Sequence, residues 1–195
     1  MVQHPSSSTK PTRGAGGACA AARGVVWGAP GVCGVPELCM AHHLSQLIEQ
    51  LLDRESNLLR TLPEPAAAVR PGGESTWSPK EELGHLIDSA ANNHIRFVCA
   101  SIEPEFRGPS YAQNDWVLAH GYQEMPWHDI IILWMQFNAL LIRVLDGIPA
   151  EKLPTLCFVG SNEAVSLQHL AEDYVIHMQH HVDHLLGRER VTPYP

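Results

Sequence analysis

The sequence predicts an all-α fold, an antiparallel four-helix bundle, and three observations carry that prediction. Four stretches of comparable length place apolar residues at steps of three and four, the period of a helix with one buried face. Clusters of proline and glycine separate them, and only the segment Leu156 to Val159 reads as a short strand. A chain of 195 residues lies in the range of a single domain and can bury a core without disulfides.

The first stripe begins at Ala41 and continues through Leu44, Leu47, Ile48, Leu51, Leu52, Leu58, Leu59 and Leu62. Pro63, Pro65 and Pro71, with Gly72 and Gly73, end it. Ser78-Pro79-Lys80-Glu81 then restarts the chain as a capping box with proline at the first helical position. The second helix carries Leu83, His85, Leu86, Ile87, Ile95 and Val98 and stops near Glu103, ahead of Pro104. A loop of about twenty residues follows, long enough to cover a site. It contains Pro109, Tyr111, Asn114, Trp116 and Gly121, and its aromatics imply that it packs down.

The third helix starts near Pro126, presents Ile131, Trp134, Met135, Asn138, Leu141, Ile142 and Leu145, and ends at Gly147. Trp134 and Met135 fall at core spacing and read as packing. The fourth starts near Ser166, runs through Leu167, Leu170, Tyr174, His177 and His181, and stops at Gly187. Helices joined in series suggest an up-down bundle, and the longer second connection permits a crossover.

Outside the bundle domain, residues 40–188, the chain predicts a short tail at 189–195 and a disordered extension at 1–39. Residues 1–36 are rich in Gly, Ala, Ser and Pro and lack acids, so they bury too little to offset the entropy of ordering. Lys10, Arg13 and Arg23 give this segment the look of a transit peptide; an over-extended reading frame with Met40 as the start is the plainer alternative. The net charge of −8 repels phosphate backbones and anionic lipid, which argues against nucleic acid and membrane partners. No run approaches the roughly 18 uninterrupted apolar residues of a membrane span. Five cysteines, Cys19, Cys33, Cys39, Cys99 and Cys157, form no CxxC pair, which points to a reducing, cytoplasmic setting. Cys99 and Cys157 read as small buried groups.

The chemistry concentrates in histidine. His177 and His181 lie four apart on the fourth helix, about 40° apart around its axis, so both rings reach one ion. They continue the stripe of Leu170 and Tyr174 into the bundle, where an unsatisfied imidazole is costly. His85 supplies a third ring from the second helix, and inward groups on facing helices are how bundles build metal sites. Three neutral imidazoles suit zinc or nickel, with iron, manganese or copper as further ions, and leave positions open for water or substrate. His184 is two turns from His177 and is placed to support a ligand rather than to be one. His180, rotated off the stripe, reads as exposed, as do His42 and His43.

Trp77-Ser78-Pro79-Lys80-Glu81-Glu82-Leu83-Gly84-His85-Leu86-Ile87-Asp88-Ser89 resembles the opening of the second helix of DinB-like proteins, the YfiT-like branch in particular. The resemblance continues in Asn93 to Phe97, in Tyr111-Ala112-Gln113-Asn114-Asp115-Trp116 and in His177 to Leu185, and spans about Ala41 to Gly187. It implies that His85, His177 and His181 bind a divalent metal. Family members include metal-dependent transferases of low-molecular-weight thiols, notably bacillithiol, and a related set labelled hydrolases.

Three functions follow as alternatives. In the transferase reading the ion activates a thiol toward an electrophilic small molecule, a detoxification; in the hydrolase reading it activates water while Asp88 or His184 manages the proton. A metal-stabilised bundle that dimerises is the non-catalytic option, though a structural ion usually has four protein ligands. Asp88, one turn after His85, is a catalytic candidate or a structural carboxylate. Arg96, further along that helix, holds an anionic substrate or pairs with an acid such as Glu103. Tyr174 brings a hydroxyl near the metal or is core, and Tyr111 and Trp116 wall the pocket or anchor the loop. A small-molecule substrate and a homodimer complete the expected partners.

Overall fold

The computed structural model describes residues 38–188. The expectations for residues 1–37 and 189–195, including Cys19 and Cys33, lie outside the described residues, as does the side chain of Cys39. In chain order the elements are α1 (Leu38–Leu59), α2 (Glu64–Ala67), α3 (Pro79–Ile102), β1 (Glu105–Gly108), α4 (Gln113–His120), α5 (Trp127–Asp146), β2 (Leu156–Val159), β3 (Val165–Ser166) and α6 (Leu167–Leu185).

The four long helices match the four apolar stripes. Leu44, Ile48, Leu51, Leu52 and Leu59 of α1 are buried. The start of α3 is the expected capping box: Ser78 accepts from the Glu81 amide, and the Ser78 amide donates to Glu81 Oε2 at 2.9 Å. Arg70 pairs with Glu81 and holds the incoming chain against that first turn. α5 is long and apolar enough to cross a membrane by length and composition alone. Here it packs on both α1 and α3, with Ile130, Ile131, Trp134, Leu141 and Leu145 buried.

The helices pack in the ring order α1, α5, α3, α6, so the longer second connection joins neighbours, α3 and α5, and the crossover expected there falls instead on the first and third connections. Trp127 Nε1 donates to the Leu59 carbonyl at 2.9 Å and Ser45 to Asp146 at 2.5 Å, which makes α1 and α5 antiparallel. Contacts of Glu82 with His184 and of Phe97 with Tyr174 make α3 and α6 antiparallel as well. Consecutive long helices α1 and α3 therefore sit on a diagonal. α3 and α6, well separated in sequence, become neighbours.

The connection read as a loop that packs down carries secondary structure of its own. β1 pairs in parallel with β2, which pairs antiparallel with β3, so the expected strand at Leu156–Val159 forms and recruits two partners too short to show a period. α4 follows; Val117 is its one buried residue, leaving no apolar stripe to read. Gly121 then turns the chain with φ of 63°, a left-handed conformation that glycine adopts without strain. Ile95 is a second correction: it is 58% exposed, because it lies about 120° round α3 from Leu83 and outside the face that meets α5. His180, expected outside, is 8% exposed, since α6 touches α1 as well as α3 and more of its circumference is covered.

Gly84 lets this second connection lie flat on α3. A Cβ there would sit 2.2 Å from Cδ2 of the Tyr122 ring, and Tyr122 uses the space to donate its hydroxyl to Asp88 Oδ1 at 2.7 Å. Alanine for glycine in an open helix interior gains up to about 1 kcal/mol, but overpacking costs about 1–3 kcal/mol. Gly84→Ala is therefore expected to lower the thermal midpoint, opposite in sign to the helix-propensity effect, and calorimetry on the two proteins checks it.

Candidate metal centre

α3 and α6 bring three imidazoles together. One ligand nitrogen from each of His85, His177 and His181 lies within 4.8 Å of the others. His85 Nε2 and His177 Nε2 are 3.1 Å apart, close to the separation of about 3.3 Å that two nitrogens take in a tetrahedral sphere with zinc–nitrogen bonds of about 2.0–2.1 Å. The ring centroids of His177 and His181 are 4.5 Å apart, and those of His85 and His181 4.7 Å.

The protonation state suits an ion. Burial, with the charge His181 would carry, pushes His85 down to about 3; burial, with His181, His85 and His180, pushes His177 down to about 2. Both rings are neutral at physiological pH, as metal ligands must be. His181 Nδ1 lies 2.9 Å from Glu82 Oε1. An ionised carboxylate only accepts, so Nδ1 carries the proton and Nε2 is left with its lone pair. Ser89 Oγ, 3.4 Å from His177 Nδ1, plays a looser version of the same part. His85 Nδ1 is buried with no hydrogen-bond partner among the described residues. Neutral, converging, partly orphaned nitrogens of this kind fit a divalent cation.

Glu82 is the residue that sequence reasoning missed. It is 4% exposed and grips His184 Nδ1 at 2.6 Å as well as His181. Glu82-Leu83-Gly84-His85 is a Glu-x-x-His spacing, which bundles use to put a carboxylate and an imidazole on one metal-facing surface, and that was the available signal. Here the carboxylate orients a ligand rather than binding the ion itself. His184 is thus a partner of Glu82; it borders an apolar surface groove with Leu62, Val69 and Leu185 instead of the cavity described next.

A cavity of about 190 Å³ opens beside the histidines, lined by His85, His177, Ser89, Asn93, Arg96, Tyr111, Gln113, Asp173 and Tyr174. Trp77 and Tyr111 flank His85, with centroids at 4.9 and 6.4 Å. Arg96 lines the cavity, and the alternative pairing with Glu103 does not form among the described residues. Burial lowers its pKa. Burial also raises the Tyr111 phenol to about 12, so it stays protonated.

Three candidates are placed otherwise than expected. Asp88 does not border the cavity. It lies about 60° round the helix from His85, away from Ser89 and Asn93, and binds Tyr122 and His120 Nδ1, the latter at 2.9 Å. Burial raises its pKa against the pull of those two partners. Tyr174 touches the cavity, but its hydroxyl donates to Asn138 Oδ1 at 2.5 Å, so the phenol is spent inside the core. Trp116 lies between Tyr111 and His120, tilted against the first at 5.1 Å and edge-on to the second at 5.9 Å, and steadies the covering segment without reaching the cavity.

The profile of the DinB superfamily matches residues 47–185. A solved structure, described as "YfiT from Bacillus subtilis is a probable metal-dependent hydrolase with an unusual four-helix bundle topology", is similar with a TM-score of 0.65 at 15% identity, covering 85% of this chain and 92% of its own. At that identity the likeness speaks for the fold. No curated protein matches the chain.

Two outcomes are expected. Glu82→Gln should weaken metal binding by about 10–100-fold with helicity unchanged, as read by chelator competition and circular dichroism. In the metal-free protein, His85 and His177 titrate near 3 and 2 when folded and near 6.5 when unfolded. Below pH 6.5 the unfolded chain takes up protons that the folded one refuses, so stability falls as the pH drops from 6.5 toward 3, each histidine contributing up to about 1.4 kcal/mol per pH unit. Urea titrations across that range should show the slope, and His85→Gln should flatten it.

Proposed function

The chain belongs to the DinB superfamily, and on that footing we propose that it is a metal-dependent enzyme that transfers a low-molecular-weight thiol, of the bacillithiol kind, to an electrophilic small molecule. The observation that carries this reading is the convergence of three imidazoles, with no fourth protein ligand grouped with them among the described residues, at the mouth of a polar cavity. A divalent ion held by His85, His177 and His181, zinc or nickel first among those that suit imidazole, would deprotonate a coordinating thiol or lower the pKa of a bound water.

The chain's own residues favour the thiol. Hydrolysis needs a proton acceptor beside the attacking water, and neither carrier expected for that task, Asp88 or His184, borders the cavity. Asp173 does, and it is the residue on which a hydrolase reading would rest; the description of the similar Bacillus subtilis protein as a probable metal-dependent hydrolase keeps that second reading in view. Thiol transfer asks less of the side chains. Glu82 and Ser89 fix two rings, Trp77 and Tyr111 shelter the third from water, and Ser89, Asn93 and Gln113 offer neutral hydrogen bonds to the substrate. Cys99 and Cys157 carry free thiols, in keeping with a reducing cytoplasm.

Elemental analysis of the purified protein, followed by a thiol-conjugation assay and an ester and amide panel, tests the proposal. Wild type is expected to hold close to one divalent ion per chain and to consume thiol. His85→Ala removes a ligand, so it should lose more metal affinity than the roughly 100-fold ceiling for an outer partner, and its conjugation activity with it. Turnover of esters or amides but not thiols would replace transfer by hydrolysis; metal retained with no turnover on either panel would leave a structural clasp.

A further inference from the structure

We propose that the cavity beside the histidines is a carboxylate site anchored by Arg96, so that the substrate is a small molecule bearing one carboxylate apart from the atom that reaches the three imidazoles. This deepens the proposed function and rests on that cavity being the substrate pocket.

Arg96 follows His85 by eleven residues, which returns it to about 20° from His85 around α3. Helical side chains lean toward the N-terminus, so its guanidinium reaches back over the cavity. Its hydrogen bond there is a long one, from Nη1 to Asn93 Oδ1 at 3.3 Å. Arg54, Arg70, Arg107 and Arg188 each hold a carboxylate; Arg96 lines a cavity and makes no ion pair among the described residues. A guanidinium has five N–H donors in a rigid fork and does not give up its proton. Burying that charge without a close counter-ion is unfavourable, as the downward direction of its pKa also indicates. A bound carboxylate removes the deficit with two parallel charge-assisted bonds.

The surrounding groups choose a carboxylate over a phosphate. Asp173 borders the same cavity and acts electrostatically on Arg96, and the other polar walls, Ser89, Asn93 and Gln113, are neutral. One arginine opposite one acid suits a singly charged planar group, whereas a phosphate dianion would meet repulsion from Asp173 with a single cation to offset it.

A charge-matched pair of thiols tests this on the metal-loaded full chain. Dissociation constants are measured by calorimetry for 3-mercaptopropionate and 2-mercaptoethanol, for their oxygen counterparts 3-hydroxypropionate and ethylene glycol, and for inorganic phosphate as competitor. In wild type the acid of each pair should bind at least about tenfold tighter, the scale of one good charge-assisted contact, and phosphate should not displace it. Arg96→Gln should abolish the preference with metal content and melting temperature unchanged. If that variant does not fold, Arg96→Lys, which keeps the charge without the fork, should show a reduced preference. Equal binding of acid and neutral partner, a preference that survives in Arg96→Gln because the acid ligates the metal directly, or displacement by phosphate would each overturn the proposal. Should thiols bind no tighter than their oxygen counterparts while the carboxylate preference holds, the carboxylate site stands and the thiol chemistry falls.

Discussion

Keeping three imidazoles, one buried and two half-buried, turned toward one point is the constraint on which the rest of this bundle depends. A neutral imidazole in a core still has one donor and one acceptor to satisfy, and crowding three of them raises that demand. The protein answers from outside the cluster, with the Glu82 carboxylate at His181 and the Ser89 hydroxyl at His177. Both come from α3, so the arrangement works only if α3 lies directly against α6. A bundle whose helices followed one another around the ring would have put α3 between α1 and α5, diagonal to α6. Diagonal connections from α1 to α3 and from α5 to α6 avoid this and give α3 two partners, α5 for its apolar face and α6 for its polar one.

That division of α3 explains what the sequence made legible and what it hid. Strong local signals survive translation into structure: the capping box at Ser78, the stop at Gly147, the four apolar stripes, and the i, i+4 pair His177 and His181 with His85 opposite. Each depends on helical geometry alone. Asp88 and Glu82 differ, because both sit one turn from His85 and helix geometry places them on opposite sides of it. Which side meets α6 and which meets the covering segment is a tertiary fact, so Asp88 attracted attention that belonged to Glu82. Tyr174 is the same kind of case, since its partner Asn138 lies on α5 and no spacing within α6 reveals it.

The covering segment was the least legible part, for a physical reason. Helix α4 buries Val117 and otherwise shows exposed residues, the apolar Leu118 among them, so it has no period to detect. What fastens it is a buried carboxylate: Asp88 binds Tyr122 and His120 together, and Gly84 clears the space in which the Tyr122 ring lies. A residue that looked catalytic thus secures the segment that brings Tyr111 and Gln113 to the cavity wall. Asp88 shapes the site from one layer away.

The placement of the carboxylates also bears on the strength of the site. Glu82 stands behind His181, Asp88 faces the covering segment, and Asp173 lies along the cavity near Arg96, so the three clustered ligands are all histidines. A cation bound by neutral donors keeps its full charge, whereas each carboxylate in its sphere would cancel part of it and weaken its pull on a thiol or a water. The cost is that nothing within the ligand set repays the desolvation of that charge, so compensation must come from Glu82 through the His181 ring and from an anionic substrate. A site built in this way is most stable when occupied by metal and anion together. Arg96 has the matching requirement at the other end of the same cavity, and a substrate with one negative group for each cation satisfies both ends at once.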